Sequence, residues 1–210
     1  MSLNFESLSP ARTKIYIVII SAVMFLPFLG SVHLFDWDEI NFAEASREMI
    51  ETGDYLRVHI DYEPFYEKPP LFFWFQVISM KIFGINEFAA RFPNAMIGIA
   101  ALLILYSLGS RLQDRVFGLF WVLSYAGSIL PYFYFRSGIL DPLFNLFMFL
   151  SVWYIHLSFR KSDGRNLSYL YAGIFSGLAI LVKGPVGLLL PGLTFIIFNL
   201  VVIKKEKFQI

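Results

Sequence analysis

"PPLFFWFQVISMKIFG", residues 69–84, decides how this chain is threaded. The run is apolar enough to suggest a membrane crossing, yet a helix needs about 20 such residues to traverse a hydrocarbon core of about 30 Å. It also carries Gln76 and Lys81. A helix lying in the interface, or entering the bilayer only partway, suits its length and polarity better. The choice is global, because a crossing here would move every later polar loop to the other side.

The surrounding composition sets the class. The sequence is 57% hydrophobic, only 16% charged, and rich in Phe and Tyr, which a soluble domain of this size would not tolerate. Long apolar runs at 15–35, 88–109, 116–135, 142–159, 169–182 and 185–203 predict an all-α polytopic membrane protein with about six transmembrane helices. There are no cysteines, so disulfides and thiolate metal sites are excluded. The first run is too long for a cleaved signal peptide and reads as a retained anchor. A net charge of +1 gives no reason to expect nucleic acid; the partner implied by composition is the membrane.

Orientation follows from the basic residues. Arg12 and Lys14, Arg111 and Arg115, Arg160, Lys161 and Arg165, and Lys204, Lys205 and Lys207 occupy four short polar segments. The positive-inside rule puts all four in the cytoplasm, which requires that residues 70–84 do not cross. The predicted layout is then a cytoplasmic N-terminus over 1–14, a first span over 15–35, an external loop over 36–87, five further spans over 88–203 and a cytoplasmic tail over 204–210.

Within that loop, the stretch from Asp36 to Glu67 holds ten of the sixteen acidic residues. Within it Phe42, Ala45, Ser46, Met49 and Ile50 follow the spacing of a one-faced amphipathic helix. We expect interfacial helices over 39–52 and 70–84, the first capped by Asp36 or Asp38 and ended by Gly53. Glu44, Arg47, Glu48 and Glu51 should form its solvated face.

The same topology brings several ionisable residues to the outer ends of the spans: Asp38, Glu39, Glu67, Lys68, Arg136, Asp141 and Lys183. Charges at membrane depth are costly and mark function by default. Lys68 before Pro69-Pro70, with a helix N-terminus behind it, suits a phosphate. Each residue also has a plainer role. Asp38 or Asp141 can cap a helix, and Lys183 can snorkel from a span end. Asp36-Trp37-Asp38 has the D-x-D form of metal-bound glycosyl donors, and a divalent metal at Glu67 is left open; His33, His59 and His156 lack ligand spacing.

Taken together, "DWDEINFAEASREMIETGDYLRVHIDYEPFYEKPPLFFW", "NEFAARFPNAMIGIAALLILYSLGSRL" and "GLAILVKGPVGLLLPGL" resemble the N-terminal half of the GT-C polyprenyl-phosphate-sugar glycosyltransferases. The likeness is greatest to the aminoarabinose–lipid A transferases and their protein-mannosyltransferase-like relatives. The resemblance implies a GT-C-like fold in the bacterial inner (plasma) membrane with an extracytoplasmic active face. It implies transfer of a sugar, with inversion, from a polyprenyl-phosphate donor to a lipid, glycan or protein acceptor. It carries over Asp38, Glu39 and Asp141 as catalytic residues, and Lys68, Lys183 and Arg136 as ligands of the donor phosphate. Asn41 stands where "DEARYAE" relatives have Arg, and "RSGILDP" departs from the usual R-x-D-x-P spacing, so neither the donor sugar nor Arg136 transfers directly. The resemblance further implies a missing C-terminal half, in the same or another chain. Two other classes compete: a catalytically inactive scaffold that binds a lipid phosphate or a partner, and a transporter. Clustering of charge at the outer ends, away from mid-membrane, argues against transport.

Overall fold

A computed structural model describes residues 9–35, 37–160 and 165–207, the side chains beyond Val201 excepted. Asp36 and Lys161, and the side chains of Lys204, Lys205 and Lys207, lie outside the described residues, so the cap expected of Asp36 falls there too. The chain forms two units, Met1–Gly53 with Phe73–Pro142, and Asp54–Phe72 with Leu143–Ile210.

Three helical paths form the frame of the first unit: α1 (Pro10–Phe25), α4 (Glu87–Leu112), and the pair α5 (Arg115–Ala126) and α6 (Ile129–Phe135). The contacts give their directions. Near the start of α4, Arg91 bonds the Leu29 carbonyl beyond α1; further along, Ile17 of α1 and Leu102 of α4 share one groove. These two helices are therefore antiparallel. Gly118 lies against Tyr106 and Ser110, Phe135 against Gly98, and Asn94 against the Ser137 carbonyl, so α5 and α6 climb back along α4. Rings close the stack: Phe25 meets Phe135 edge-on at 5.3 Å, a favoured aromatic geometry.

Two consequences follow for the threading. The segment between α1 and α4 leaves and returns at the same end of the frame. Within it lie α2 (Asp38–Thr52) and α3 (Leu71–Phe83). At 13 residues, α3 is only ~20 Å long. It touches α4 near its first turns, through Met80 on Ala89 and Ala90, Gln76 on the Ala90 carbonyl, and Phe83 on Phe88 and Phe92. Arg91 and Arg111 stand 20 residues apart on α4, ~30 Å along the axis, which matches the hydrocarbon thickness. Gly84 at φ 81° and Asn86, whose side chain accepts from Ala89 N and donates to the Phe83 carbonyl, make the corner between α3 and α4.

Several expected boundaries change. The span expected over 15–35 is a helix of 16 residues that ends at Phe25. Residues 116–135, read as one span, break at Gly127-Ser128 and bend by 74°. Gly118 of the first piece lies against Gly109 and Phe135 of the second against Gly98, so the pair runs back along α4. Among the described residues three helices are long and apolar enough to span, Glu87–Leu112, Asp141–Arg160 and Arg165–Lys183, or four with the bent pair. The helices over 38–52 and 71–83 appear, and Gly53 ends the first in the left-handed conformation. Asp38 opens α2 without a side-chain cap. Glu48, expected on the solvated face, is 0% exposed: α3 packs along α2 through Phe42–Phe73 and Ser46–Gln76 and widens the buried arc. Glu44 does pair with Arg47 on the outer side, and that guanidinium holds its carboxyl below the usual range.

The second unit contains a two-stranded hairpin, β1 (His59–Ile60) and β2 (Glu63–Pro64), and the helices α7 (Asp141–Arg160, within this unit from Leu143), α8 (Arg165–Lys183) and α9 (Val186–Lys207). Positive φ at Asp61 and Tyr62 makes the tight turn that matches strand twist. Ser151 of α7 donates to the Ala172 carbonyl and meets the Ser176 hydroxyl on α8, a polar link between helices suited to an apolar surround. Lys183-Gly184-Pro185 turns α8 into α9, with Gly184 at φ 79°.

The close approach of α4 and α5 is testable. A Cβ on Gly118 would sit 2.6 Å from Ser110 Oγ and 2.8 Å from the Tyr106 carbonyl, whereas one on Gly177 meets nothing within 4 Å. Gly118→Leu should cost about 1–3 kcal/mol and lower the thermal midpoint of the purified protein by several degrees, and Gly177→Leu should leave it nearly unchanged.

Candidate active site

The outer end of the first unit is organised by one carboxylate. Glu39 lies in the first turn of α2, 1% exposed, and Arg91 lies in the second turn of α4, 3% exposed. Arg91 Nε and Nη2 donate to Glu39 Oε1 and Oε2 at 2.8 and 2.9 Å. The backbone N–H of Gly138 donates to Oε1 at 2.5 Å and that of Phe35 to Oε2 at 2.7 Å. An ionised carboxylate offers about four acceptor positions, and all are filled. The guanidinium is equally engaged: Nη1 donates to the Leu29 and Val32 carbonyls and Nη2 also to that of His33. The ring of Phe35 lies 5.6 Å from its central carbon.

Glu39, expected as a catalytic group, is here an anchor that accepts four hydrogen bonds. A carboxylate saturated by four donors and sealed from solvent has no acceptor position left for a substrate proton. What it fixes is the backbone on either side. Asp38 is the adjacent residue and is exposed at the helix start. Before it, Trp37 is held at φ 75° and ψ −104°, a strained conformation for a bulky residue that marks functional sites.

The other fixed strand is the turn before α7. Asn94 Nδ2 donates to the carbonyls of Ser137 and Ile139 at 2.6 and 2.7 Å. Gln76 Nε2 donates to that of Gly138 at 3.4 Å and to that of Ala90 at 2.9 Å, and its Oε1 accepts from Ser46. Buried side chains thus hold three successive carbonyls and one N–H. Asp141 opens α7 three residues beyond Gly138, so its Cα lies within about 11 Å of Gly138. The structure brings Asp38 and Asp141 to the two sides of one anchor.

Arg136 takes a different part from the expected phosphate ligand. Its Nη1 and Nη2 donate to the carbonyls of Met24 and Pro27 at 2.9 and 2.8 Å, and its guanidinium lies 5.3 Å from the Tyr132 ring. It closes the C-terminal end of α1, where unpaired carbonyls and the helix dipole favour a cation. Lys68 and Lys183 belong to the second unit. Lys68 is half-buried, and the helix it was expected to head begins three residues later, at Leu71. Lys183 Nζ lies 5.4 Å from the centroid of Phe144. Glu67 is exposed, and among the described residues no three His, Asp or Glu side chains are grouped to hold a metal.

Arg91, Asn94 and Gln76 are absent from the sequence-derived site. Their signal was present: "RFPN" puts an arginine and an asparagine inside an apolar run, where polar groups need partners. Those partners lie too far along the chain to be read locally.

The pattern of the family described as dolichyl-phosphate-mannose-protein mannosyltransferase matches residues 67–210. The undecaprenyl phosphate-alpha-4-amino-4-deoxy-L-arabinose arabinosyl transferase 2 of Sodalis glossinidius is 32% identical over 192 residues, covering 90% of this chain and 34% of that protein. Its Yersinia enterocolitica counterpart is 30% identical over 173 residues, covering 81% and 31%. Crystal structures of ArnT from Cupriavidus metallidurans superpose with TM-scores of 0.81 in the apo state and 0.82 bound to undecaprenyl phosphate. They share 26% and 25% identity and cover 92% of this chain and 37% and 36% of those chains. The chain thus spans about a third of the length of the relatives it matches.

The anchor predicts an asymmetry. Breaking a buried pair by removing one partner costs about 3–5 kcal/mol, while removing both costs less. Arg91→Leu and Glu39→Leu should each destabilise the protein severely in thermal unfolding, and the double variant should be less destabilised than the sum of the two.

Proposed function

Because the chain belongs to the dolichyl-phosphate-mannose-protein mannosyltransferase family, we propose that it is the N-terminal part of a membrane glycosyltransferase that takes its sugar from a polyprenyl-phosphate donor. The observation that carries this reading is the Glu39 anchor. It brings the backbones next to Asp38 and Asp141 together at the end of the frame opposite Arg12, Lys14, Arg111 and Arg115. With the basic end in the cytoplasm, the site faces the outside of a bacterial inner membrane. The arabinosyl transferases are named for an undecaprenyl-phosphate donor, and one matched structure holds undecaprenyl phosphate.

In this reading the acceptor hydroxyl attacks the anomeric carbon from the face opposite the phosphate. As the new C–O bond forms, the bond to the phosphate oxygen breaks, the polyprenyl phosphate departs and the configuration inverts. The acceptor proton passes to an aspartate, Asp38 or Asp141. Lys68 and Lys183 bind the leaving phosphate and stabilise the charge that grows on it. Asn41 stands near Asp38 in α2, in place of the arginine of "DEARYAE" relatives, and the donor sugar is accordingly open to difference. The hydroxyl belongs to a lipid, glycan or protein acceptor.

The test is release of polyprenyl phosphate from a radiolabelled polyprenyl-phosphate sugar by membranes expressing the complete coding sequence. Asp38→Asn and Asp141→Asn should each lower the rate about 10²–10⁴-fold while donor binding persists. Lys68→Ala combined with Lys183→Ala should weaken the binding itself. Unchanged turnover in both aspartate variants would remove the catalytic reading and leave a lipid-phosphate scaffold.

A further inference from the structure

At the opposite end of the first unit lies a cavity of about 360 Å³ that the glycosyl-transfer reading does not use. It is a groove between α1, α4 and α5, lined by Tyr16, Ile20 and Met24 on one side and by Leu102, Leu119 and Val122 on the other. Thr13 and Ser21 also face it, but their hydroxyls turn back onto the carbonyls of Ser9 and Ile17. The lining offers no polar atom, so its natural filling is hydrocarbon.

Length and charge narrow the occupant. From Thr13 to Met24 the groove follows 11 residues of α1, ~16 Å along the helix, about half of a 30 Å hydrocarbon core. That is the depth of one leaflet. The mouth lies at the basic end of the frame. Arg12 and Lys14 are exposed on either side of Thr13, and Arg111 is exposed at the end of α4. Basic side chains at that level attract anionic headgroups.

We propose that this groove seats one acyl chain of an anionic phospholipid from the leaflet at the basic end, with its phosphate held by Arg12 and Lys14. The site is distinct from any donor site at Glu39, which lies at the other end of the same helices. The lipid fills the groove between α1, α4 and α5.

The experiment uses the protein from the complete coding sequence in bilayer nanodiscs, with phosphatidylglycerol bearing a diazirine midway along one acyl chain. After illumination the labelled peptides are identified by mass spectrometry. Labelling should concentrate on residues 16–24 and 119–126. Unlabelled phosphatidylglycerol should compete at least five times better than phosphatidylcholine, and Arg12→Gln with Lys14→Gln should abolish that preference. Ile20→Trp, which projects into the groove, should reduce labelling even with both cations intact. Equal competition by phosphatidylcholine would overturn the headgroup assignment. Label spread evenly over α8 and α9, or a groove covered by another protein segment and unlabelled, would overturn the site.

Discussion

Two opposite charges, Glu39 and Arg91, lie almost fully buried where α2 and α4 meet the chain leaving α1. Neither would be tolerated there alone, since an isolated ion loses several kcal/mol of hydration on burial. The pair is tolerated because its hydrogen bonding is complete. Five guanidinium donors and four carboxylate acceptor positions are all satisfied, and five of those bonds go to backbone. The backbone so tied includes the chain leaving α1, the residue four before Glu39, and the turn before α7. A buried pair of this kind contributes specificity of arrangement more than net stability, because alternative packings would leave a charge without partners.

The local chemistry depends on that arrangement. Gly138 can present its N–H to Glu39 because it has no side chain; a Cβ there would come within 3.1 Å of the Ala90 carbonyl and 3.3 Å of Glu39 Cγ. Arg136, two residues earlier, is turned to the end of α1, and Asp141 follows three residues later. One turn thus links the closure of the first helix to the opening of α7. The break at Gly127-Ser128 belongs to the same design, since the bent α6 carries Phe135 onto Gly98 and delivers Ser137 to Asn94. Rigid support of this kind is what a transferase needs where it must hold a lipid phosphate and an acceptor in line.

Much of this was legible from residues alone. The short apolar run with Gln76 and Lys81 already points to a helix too short to span, because length and polarity are local properties. The rhythm of Phe42, Ala45, Ser46 and Met49 and the position of Gly53 likewise locate α2. Individual charges were less legible. Glu39 and Asp38 are neighbours of the same chemical class, and what separates them is a partner 52 residues away and a backbone N–H 99 residues away. Glu48 fits a solvated face until α3 is laid beside it. Arg136 looks like a phosphate ligand until the carbonyls at the end of α1 are brought to it from more than 100 residues away. Long-range hydrogen bonding, which carries no sequence periodicity, decided each of these roles.

The central proposal is that the residues assigned to the transfer, Asp38, Lys68, Asp141 and Lys183, are all reached from outside the membrane. The absence of native cysteines allows single cysteines at positions 38, 68, 141 and 183, with one at Gln113 as the opposite-side reference. Intact cells would be treated with a membrane-impermeant maleimide, and permeabilised cells would control for reactivity. The one-face arrangement predicts labelling of the first four from outside and of position 113 only after permeabilisation. Labelling at 38 from outside, with 141 and 183 reached only after permeabilisation, would contradict it, because those groups could then never meet one substrate.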